Sequence, residues 1–157
     1  MDELTEDIHT FWNLAFEVVN LLEKRLFVFL AQQQLTPPQF FVLRTLIEHG
    51  GHCRIGQIAE EHHLTNATMT GLIKRMEAAD PPLVQRVRSG SDGRSVDVHL
   101  TPHGAERFAA VQSTLMEQAG AVLRLLPVEE RREAMEKIRF YLRLLSEQFP
   151  AEGITSG

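Results

Sequence analysis

The fold is decided within residues 65–101, TNATMTGLIKRMEAADPPLVQRVRSGSDGRSVDVHLT, where the spacing of the apolar residues changes. In the first half apolar residues recur every three or four positions, which predicts a helix beginning at Thr65 or Asn66. The segment Asp80-Pro81-Pro82 ends that helix, because proline and the residue before it disfavour helical geometry. Two runs that alternate apolar and polar residues follow, joined by the turn formers of SGSDGR. The stretch therefore predicts a helix followed by a β-hairpin.

The predicted helix keeps its short polar side chains away from its apolar face. The apolar face consists of Met69, Leu72, Ile73 and Met76. Threonine and asparagine donate and accept hydrogen bonds close to the backbone, as contact with base edges in the major groove requires, and lysine and arginine reach phosphates. The residues expected to contact DNA from this helix are Thr65, Asn66, Ala67, Thr68, Thr70, Lys74 and Arg75. A merely solvated helix surface is the alternative interpretation.

The predicted hairpin adds Arg86, Arg88 and Arg94 near its tip and outer face. Asp92 precedes Arg94 by two residues in SDGR, so its carboxylate can hold the Arg94 guanidinium in one orientation. An arginine held in this way can enter the narrow minor groove beside the site of the helix. The alternative is that these arginines only keep an edge strand soluble.

Basic residues are concentrated in this part of an otherwise acidic chain of 157 residues with a net charge of −5. Residues 65–94 carry five Lys or Arg and three Asp or Glu, whereas residues 1–64 carry four and nine. Salt limits electrostatic interactions to about 8–10 Å under physiological conditions, so the local charge matters more for phosphate binding than the net charge. The charge pattern favours a nucleic-acid surface at residues 65–94.

Helices are predicted on both sides of this stretch. An uninterrupted apolar stripe predicts a first helix over residues 4–34, either buried in the core or shared with a partner subunit. A capping-box pattern at Thr36 and Gln39 begins a second helix, which ends at Gly50-Gly51. The segment IGQIAEEHH predicts a short third helix. Helix, turn, polar-faced helix and cationic hairpin, in that order, indicate a winged helix-turn-helix.

Two further helices are predicted, one starting at Thr101-Pro102 and one following Leu126-Pro127. The side chains expected to pack inward on the second helix and on these two are Phe40, Phe41, Leu43, Leu46, Ile47, Phe108, Val111, Leu115, Met116, Ala134, Met135, Ile138, Tyr141, Leu142 and Leu145.

Bulk composition is that of one ordinary globular domain without a membrane span. The acidic N-terminus, MDELTEDIHT, does not match the cationic start of a secretory signal, and the single cysteine, Cys53, fits a reducing compartment. A cytoplasmic protein is therefore expected.

Two groups of side chains invite a metal interpretation, and neither is adopted. The first is His49, His52 and Cys53, and the second is Glu60, Glu61, His62 and His63. A zinc site needs three or four converging ligands, and neighbours on a helix point in different directions. The chain also has no phosphate-binding loop, His-Glu-x-x-His motif or nucleophile elbow. No catalytic residue, metal ligand or cofactor is predicted.

The segments LTPPQFFVLRTL, IAEEHHLTNATMTGLIKRME and LVQRVRSGSDGRSVDVHLTPHG resemble the multiple antibiotic resistance regulator (MarR) family of transcription factors. The resemblance extends over residues 4 to about 147, and SDGRSVDVHLTPHG is its most specific part. It implies a mainly α fold with a small β-hairpin, in one domain over residues 1–157. A winged helix-turn-helix at 36–101 would lie between dimerisation helices at 1–34 and 103–148. The implied activity is binding of a homodimer to a pseudo-palindromic double-stranded operator.

The resemblance also implies a division of labour among the DNA-binding residues. It assigns base contacts to the recognition helix, backbone contacts to Lys74 and Arg75, and the wing contact to Arg94 supported by Asp92. Members commonly repress a neighbouring gene and release DNA when a small, often aromatic ligand binds. A redox-sensing member is an alternative, although such members carry their reactive cysteine in the first helix, where this chain has none.

An effector pocket is the least specific prediction. Aromatic and cationic side chains that could enclose an aromatic acid are Trp12, Arg25, Phe29, Phe40 and Arg44, and each could equally be a core or surface residue. Two other functions stay open, a winged helix that binds protein instead of DNA and a metal-sensing member of the same family. Loss of duplex affinity with rising salt would distinguish the DNA reader from the protein-binding module.

Overall fold

The structure is a computed structural model that describes residues 2–90 and 93–148. Over those residues it contains six helices and one three-stranded antiparallel sheet. The helices are α1 (Glu3–Gln32), α2 (Pro37–Glu48), α3 (Ile55–Glu61), α4 (Asn66–Glu77), α5 (Pro102–Leu123) and α6 (Val128–Gln148). The strands are β1 (His52–Arg54), β2 (Val84–Ser89) and β3 (Ser95–Leu100), in the sheet order β1-β3-β2. The predicted fold class, mainly α with a winged helix-turn-helix, is confirmed.

Strand β1 is an element that the sequence pattern does not predict. Its three residues are too few to display the two-residue period of a strand. It pairs antiparallel with β3, placing His52 opposite His99 and Arg54 opposite Asp97. The wing is therefore the outer part of a three-stranded sheet with β3 at its centre, and is not an isolated hairpin.

Threonine side chains begin α2 and α4. Thr36 Oγ1 accepts a hydrogen bond from the Gln39 backbone N–H at 3.4 Å, and Gln39 Oε1 accepts one from the Thr36 N–H at 3.0 Å. The predicted capping box is therefore present. Of the two candidates for the start of α4, Thr65 is the cap, because its Oγ1 accepts a hydrogen bond from the Thr68 N–H at 3.2 Å.

The chain divides into two compact units, one ending at Leu115 and the other beginning at Met116. The first unit has a hydrophobic core built from α2, α3, α4 and the sheet, closed by the last residues of α1 and the first half of α5. Phe40 of α2 stacks on Phe108 of α5, with ring centroids 5.0 Å apart. The prediction of a single domain over residues 1–157 stays a prediction.

Several side chains expected to pack inward on α2 and α5 are instead exposed. Phe41 and Ile47 of α2 are each 40% exposed, while Val42 and Thr45 are buried. The reason is that α2 contacts the sheet and α4 as well as α1, so its buried arc is rotated from the one predicted. On α5, Met116 is exposed, which also contradicts the prediction.

The terminal helices leave most of their apolar residues uncovered in the single chain. In α1 only Phe29 and Leu30 are buried, and α6 has no buried residue. The exposed side chains of α6 that were expected to pack inward are Met135, Ile138, Tyr141, Leu142 and Leu145. An amphipathic stripe predicts only that one face of a helix tends to be buried, and within the part of the chain that the structure describes no side chain of α6 is buried. Among the described residues no helix is long and apolar enough to cross a membrane.

Thr101 and Gly104 hold the start of α5 against the segment that leads into β2. The Thr101 hydroxyl donates to the Pro82 carbonyl at 2.6 Å and accepts from the Gly104 N–H at 3.0 Å. Gly104 is buried, and a Cβ at this position would collide with the Leu83 carbonyl. The pattern Leu-Thr-x-x-Gly at residues 100–104 therefore provides a close contact between helix and wing.

Candidate nucleic-acid interface

Helix α4 buries the face that the sequence predicts. Its four stripe residues, Met69, Leu72, Ile73 and Met76, are at most 5% exposed. The opposite face is open: Asn66, Ala67, Thr68, Lys74 and Arg75 are exposed, and Thr70 is half-buried. Short side chains therefore occupy the first half of the outward face, and two cations occupy the last turn.

The N-terminus of α4 is organised by its first threonines. Thr65 Oγ1 caps the helix and lies 2.9 Å from Thr68 Oγ1, so the two hydroxyls form one hydrogen-bonded pair. The N–H groups of a first helical turn have no partner inside the helix and attract anions. This end of α4 can hold a phosphate while the following residues meet base edges.

Gly71 lies on the outward side of α4 with the Arg75 guanidinium near it. A Cβ added at Gly71 would meet Arg75 Nη1 at 3.6 Å, an ordinary contact with the far end of a flexible side chain. Nothing in the protein core therefore requires glycine here. Its absence of a side chain leaves the α4 backbone open to close approach from outside.

Glu77 and Arg86 connect α4 to the wing. The Glu77 carboxylate accepts hydrogen bonds from the Arg86 backbone N–H at 2.9 Å and from Arg86 Nε at 2.7 Å. These hydrogen bonds hold the pKa of the Glu77 carboxyl below its usual value, and the bond from the Arg86 backbone has the larger effect. Arg86 was predicted to contact DNA, and its guanidinium is shared with this carboxylate. That arrangement favours a role in positioning the wing.

The other wing arginines lie further toward the tip. Arg88 is exposed on β2, and Arg94 is exposed just before β3. Arg94 lines a cleft of about 570 Å³ together with Arg54, Gln57 and Glu60 near the start of α3. Asp92, the predicted support of Arg94, lies outside the described residues.

Histidines position α3 against α2, a role that sequence reasoning missed. His62 Nε2 lies 2.9 Å from the Thr45 hydroxyl, and His49 Nε2 lies 2.8 Å from Glu61 Oε1. These partners are 17 and 12 residues apart, so no local pattern signals them. These contacts hold α3 against α2, the helix that precedes it.

Neither of the two histidine-containing groups considered as metal sites converges on one point among the described residues. Cys53 is buried on the core face of β1, and desolvation raises the pKa of its thiol. His49 pairs with Glu61, and His52 lies next to His99 across the sheet. Alternating side chains on β1 place His52 and Cys53 on opposite faces.

The five predicted effector-binding residues occupy different surroundings. Phe29 and Phe40 belong to the hydrophobic core, whereas Trp12 and Arg25 are exposed on α1. Arg25 follows Trp12 by 13 positions on α1, which corresponds to about 20 Å along the helix. Arg44 is exposed and forms an ion pair with Glu48 at 2.9 Å. The single chain does not gather these side chains into one pocket, and their role in ligand binding stays a prediction.

The helix-turn-helix and most of the wing resemble those of known transcription regulators. Residues 35–96 match the model of the MarR family. The HTH-type transcriptional regulator YsmB of Bacillus subtilis is 41% identical over 75 residues, covering 48% of this chain and 49% of YsmB. The HTH-type transcriptional repressor MdtR of the same organism is 28% identical over 135 residues, covering 85% of this chain and 82% of MdtR.

The fold agrees with a solved structure of the same kind. A MarR family protein from Bacillus stearothermophilus superposes with a TM-score of 0.78 and 26% identity, covering 93% of this chain and 99% of that one. The chain spans about half the length of YsmB and most of the length of MdtR. With its six helices, its three-stranded wing sheet and this agreement in sequence and fold, the chain has the fold of the MarR family winged-helix regulators, and its residues 35–96 match that family's model.

Proposed function

We propose that this protein is a sequence-specific regulator of transcription that binds double-stranded DNA. The observation that carries the proposal is the outward face of α4, with short polar side chains ahead of Lys74 and Arg75, beside a wing joined to the helix through Glu77 and Arg86. A helix with such a face can enter the major groove, because nothing long keeps its backbone away from base edges.

The proposed contacts divide into base reading and backbone positioning. Asn66, Ala67, Thr68 and Thr70 would meet base edges, and Thr65 would lie at the phosphate beside the start of α4. The remaining proposed contacts are made by the cations, with Lys74, Arg75 and Arg88 at phosphates and Arg94 in the minor groove supported by Asp92. Arg86 would act by holding the wing.

A homodimer is proposed as the form that binds DNA. The supporting observation is that both α1 and α6 expose apolar side chains along their length, among them Phe16, Leu22, Tyr141 and Leu142 at more than 50% exposure. Apolar surfaces of this extent are normally covered by another protein surface. A second copy of the chain would cover them and present two recognition helices to a pseudo-palindromic operator.

The proposed mode of regulation is repression that ends when a small ligand binds and the protein dissociates from DNA. MdtR, which aligns with 85% of this chain, is named a transcriptional repressor. An aromatic acid is the proposed effector, because the chain exposes aromatic rings on α1, such as Trp12 and its neighbour Phe16, and cations at Arg25 and Arg44. Since one chain does not bring these groups together, a ring and a cation would have to meet in the proposed dimer. Such a ligand would lower operator affinity by binding more tightly to a dimer conformation in which the two recognition helices cannot both enter the major groove.

Fluorescence anisotropy with labelled duplexes tests the proposal. Fragments of the DNA that flanks the gene for this protein would be compared with a scrambled duplex of equal length between about 50 and 200 mM salt. We expect preferential binding whose logarithm falls linearly with the logarithm of salt concentration, and half-sites about 10–10.5 base pairs apart or a multiple of that. A protein-binding winged helix would show neither behaviour.

Sedimentation analysis tests the dimer separately. Leu142→Glu should shift the protein toward monomers and weaken operator binding, because it places a charge in the proposed interface. Glu136→Gln, a change on the same helix at an already polar position, is the control. A wild-type protein that stays monomeric at micromolar concentration would contradict the dimer.

A further inference from the structure

Three potential metal ligands meet on the solvent-facing side of the sheet. One ligand atom each from His52, Asp97 and His99 lies within 4.8 Å of the other two. Asp97 and His99 are half-buried, and His52 is exposed. No other group of three such side chains occurs among the residues that the structure describes. The group lies outside the residues proposed to contact DNA.

The strand register brings these side chains together. His52 of β1 is directly opposite His99 of β3, and their rings stack with centroids 5.2 Å apart. Asp97 lies two positions before His99, so both side chains emerge on the same face of β3. Ligands carried on paired strands of one sheet are held at a nearly constant separation, unlike ligands on loops.

We propose that His52, Asp97 and His99 bind a divalent transition metal ion of the zinc type. Two imidazoles and one carboxylate suit Zn²⁺ and its neighbours, whereas Ca²⁺ and Mg²⁺ prefer oxygen ligands throughout. Three protein ligands with water in the fourth position form a common tetrahedral zinc arrangement. Cys53 contributes nothing, because it lies on the buried face of β1.

The distances are compatible with closure around an ion. Bonds of about 2.0–2.1 Å at tetrahedral angles separate ligand atoms by about 3.4 Å, so each of the three atoms must move inward by less than about 1 Å. Rotation of side chains that are exposed or half-buried supplies such a movement without shifting the strands. The stacked imidazole rings would turn their edges toward the ion.

Arg54 is the side chain that opposes metal binding. It is paired with Asp97 across β1 and β3, and therefore lies on the same face of the sheet. Among the ion pairs of the described residues, none joins Arg54 to Asp97. The carboxylate is thus available to an ion, although the positive charge beside it lowers the affinity.

A bound ion would join two parts of the winged helix-turn-helix. Strand β1 leads directly into α3, whose N-terminal capping residue is Arg54, and β3 carries the base of the wing. Coordination by His52 from β1 and by two residues of β3 would restrain the wing relative to α3. The existence of the site does not depend on DNA binding, so each can be tested without the other.

Calorimetric titration of the metal-free, tag-free protein with ZnCl₂ tests the site, with Co²⁺ absorption as a second probe of coordination. We expect one ion per chain and visible Co²⁺ bands of tetrahedral intensity. His52→Gln combined with His99→Gln should abolish that binding, and Asp97→Asn should weaken it by more than the roughly 10–100-fold typical of losing a residue that only orients a ligand. Arg54→Gln should tighten it. His9→Gln, on the exposed surface of α1, is the matched control.

Imidazole nitrogen resonances of the wild-type protein provide a measurement that does not depend on variants. Zn²⁺ should shift the signals of His52 and His99 and leave that of His9 in place. Shifts spread over all the histidines, or stoichiometric binding that survives the double substitution, would overturn the proposal. So would the absence of binding at submillimolar Zn²⁺.

Discussion

The Glu77 carboxylate, in the last turn of α4, accepts hydrogen bonds from both the backbone N–H and the Nε of Arg86, in the first half of β2. This pair joins the end of α4 to the wing, since one carboxylate accepts hydrogen bonds from two donors of Arg86. A backbone donor fixes the position of the strand itself, which a bridge between two flexible side chains cannot do. The Glu77 carboxylate therefore helps to fix the placement of the wing relative to α4, the two elements proposed to bind DNA.

Replacing Glu77 with alanine should loosen the wing and weaken DNA binding. We expect a loss of about 1 kcal/mol in the free energy of unfolding, because the side chains are about one-third exposed and solvent reduces the value of the pair. Operator affinity should fall by roughly fivefold, the equivalent of a similar energy. Urea unfolding and anisotropy measure the two effects. Glu117→Ala, an exposed acidic position on α5, should change neither.

The same pair predicts a dependence of stability on pH. The pKa of Glu77 is lowered in the folded protein by its hydrogen bonds to Arg86. The stabilisation is therefore fully present above the unfolded pKa of about 4.3 and is lost as pH falls toward the lower folded pKa. The difference in unfolding free energy between wild type and Glu77→Ala should be constant from about pH 6 to 7 and shrink below about pH 4. A difference that grows on acidification would contradict this assignment.

The buried face of α4 was predictable from sequence, but the tertiary contacts that position the helix-turn-helix and the wing were not. The stripe from Met69 to Met76 repeats at helical spacing, and a local period of this kind is sufficient to assign the buried face. The bond from Glu77 to Arg86 spans nine residues and a proline turn, and the contact of His62 with Thr45 spans 17. Such pairs depend on tertiary geometry, which no local pattern records.

The terminal helices show a second limit of sequence reasoning. Periodicity correctly predicts that α6 is amphipathic, but it cannot state which surface covers the apolar face. The prediction that Met135, Ile138 and Leu142 pack inward is wrong for the single chain, where all three are exposed. Strand β1 was missed for a related reason, since three residues contain too little pattern to distinguish a strand from a loop.

Removing Thr70 and Arg94 together should abolish sequence-specific binding. Each lost contact costs about 1–3 kcal/mol, so the double alanine variant should bind its operator more weakly by about 2–6 kcal/mol, which is at least roughly 30-fold. The single variants separate the two roles. Thr70→Ala should relax base preference without changing the salt dependence, while Arg94→Ala should reduce the slope against salt by up to about 1. Unchanged affinity in a folded double variant would refute the proposed interface.

Alanine at Gly104 should destabilise the protein and displace the wing. The added Cβ would meet the Leu83 carbonyl, a backbone atom that cannot move without shifting the entry to β2. Overpacking of this kind typically costs about 1–3 kcal/mol. Gly120→Ala in the same helix is the matched control, since its Cβ would approach only the guanidinium of Arg124, at 3.2 Å. Thermal unfolding should therefore shift down for Gly104→Ala and stay unchanged or rise for Gly120→Ala.

Alanine at Gly71 should separate stability from DNA binding. The added Cβ would have only the Arg75 guanidinium as a neighbour, so α4 should gain about 0.5–1 kcal/mol from the better helix propensity of alanine. The same methyl group would stand on the outward face of α4, where the proposed complex brings the backbone close to base edges. We therefore expect a higher unfolding free energy together with weaker operator binding, measured by urea unfolding and anisotropy on the same preparation. If affinity rises in parallel with stability, the DNA does not approach α4 at Gly71, and the base contacts must lie nearer the start of the helix.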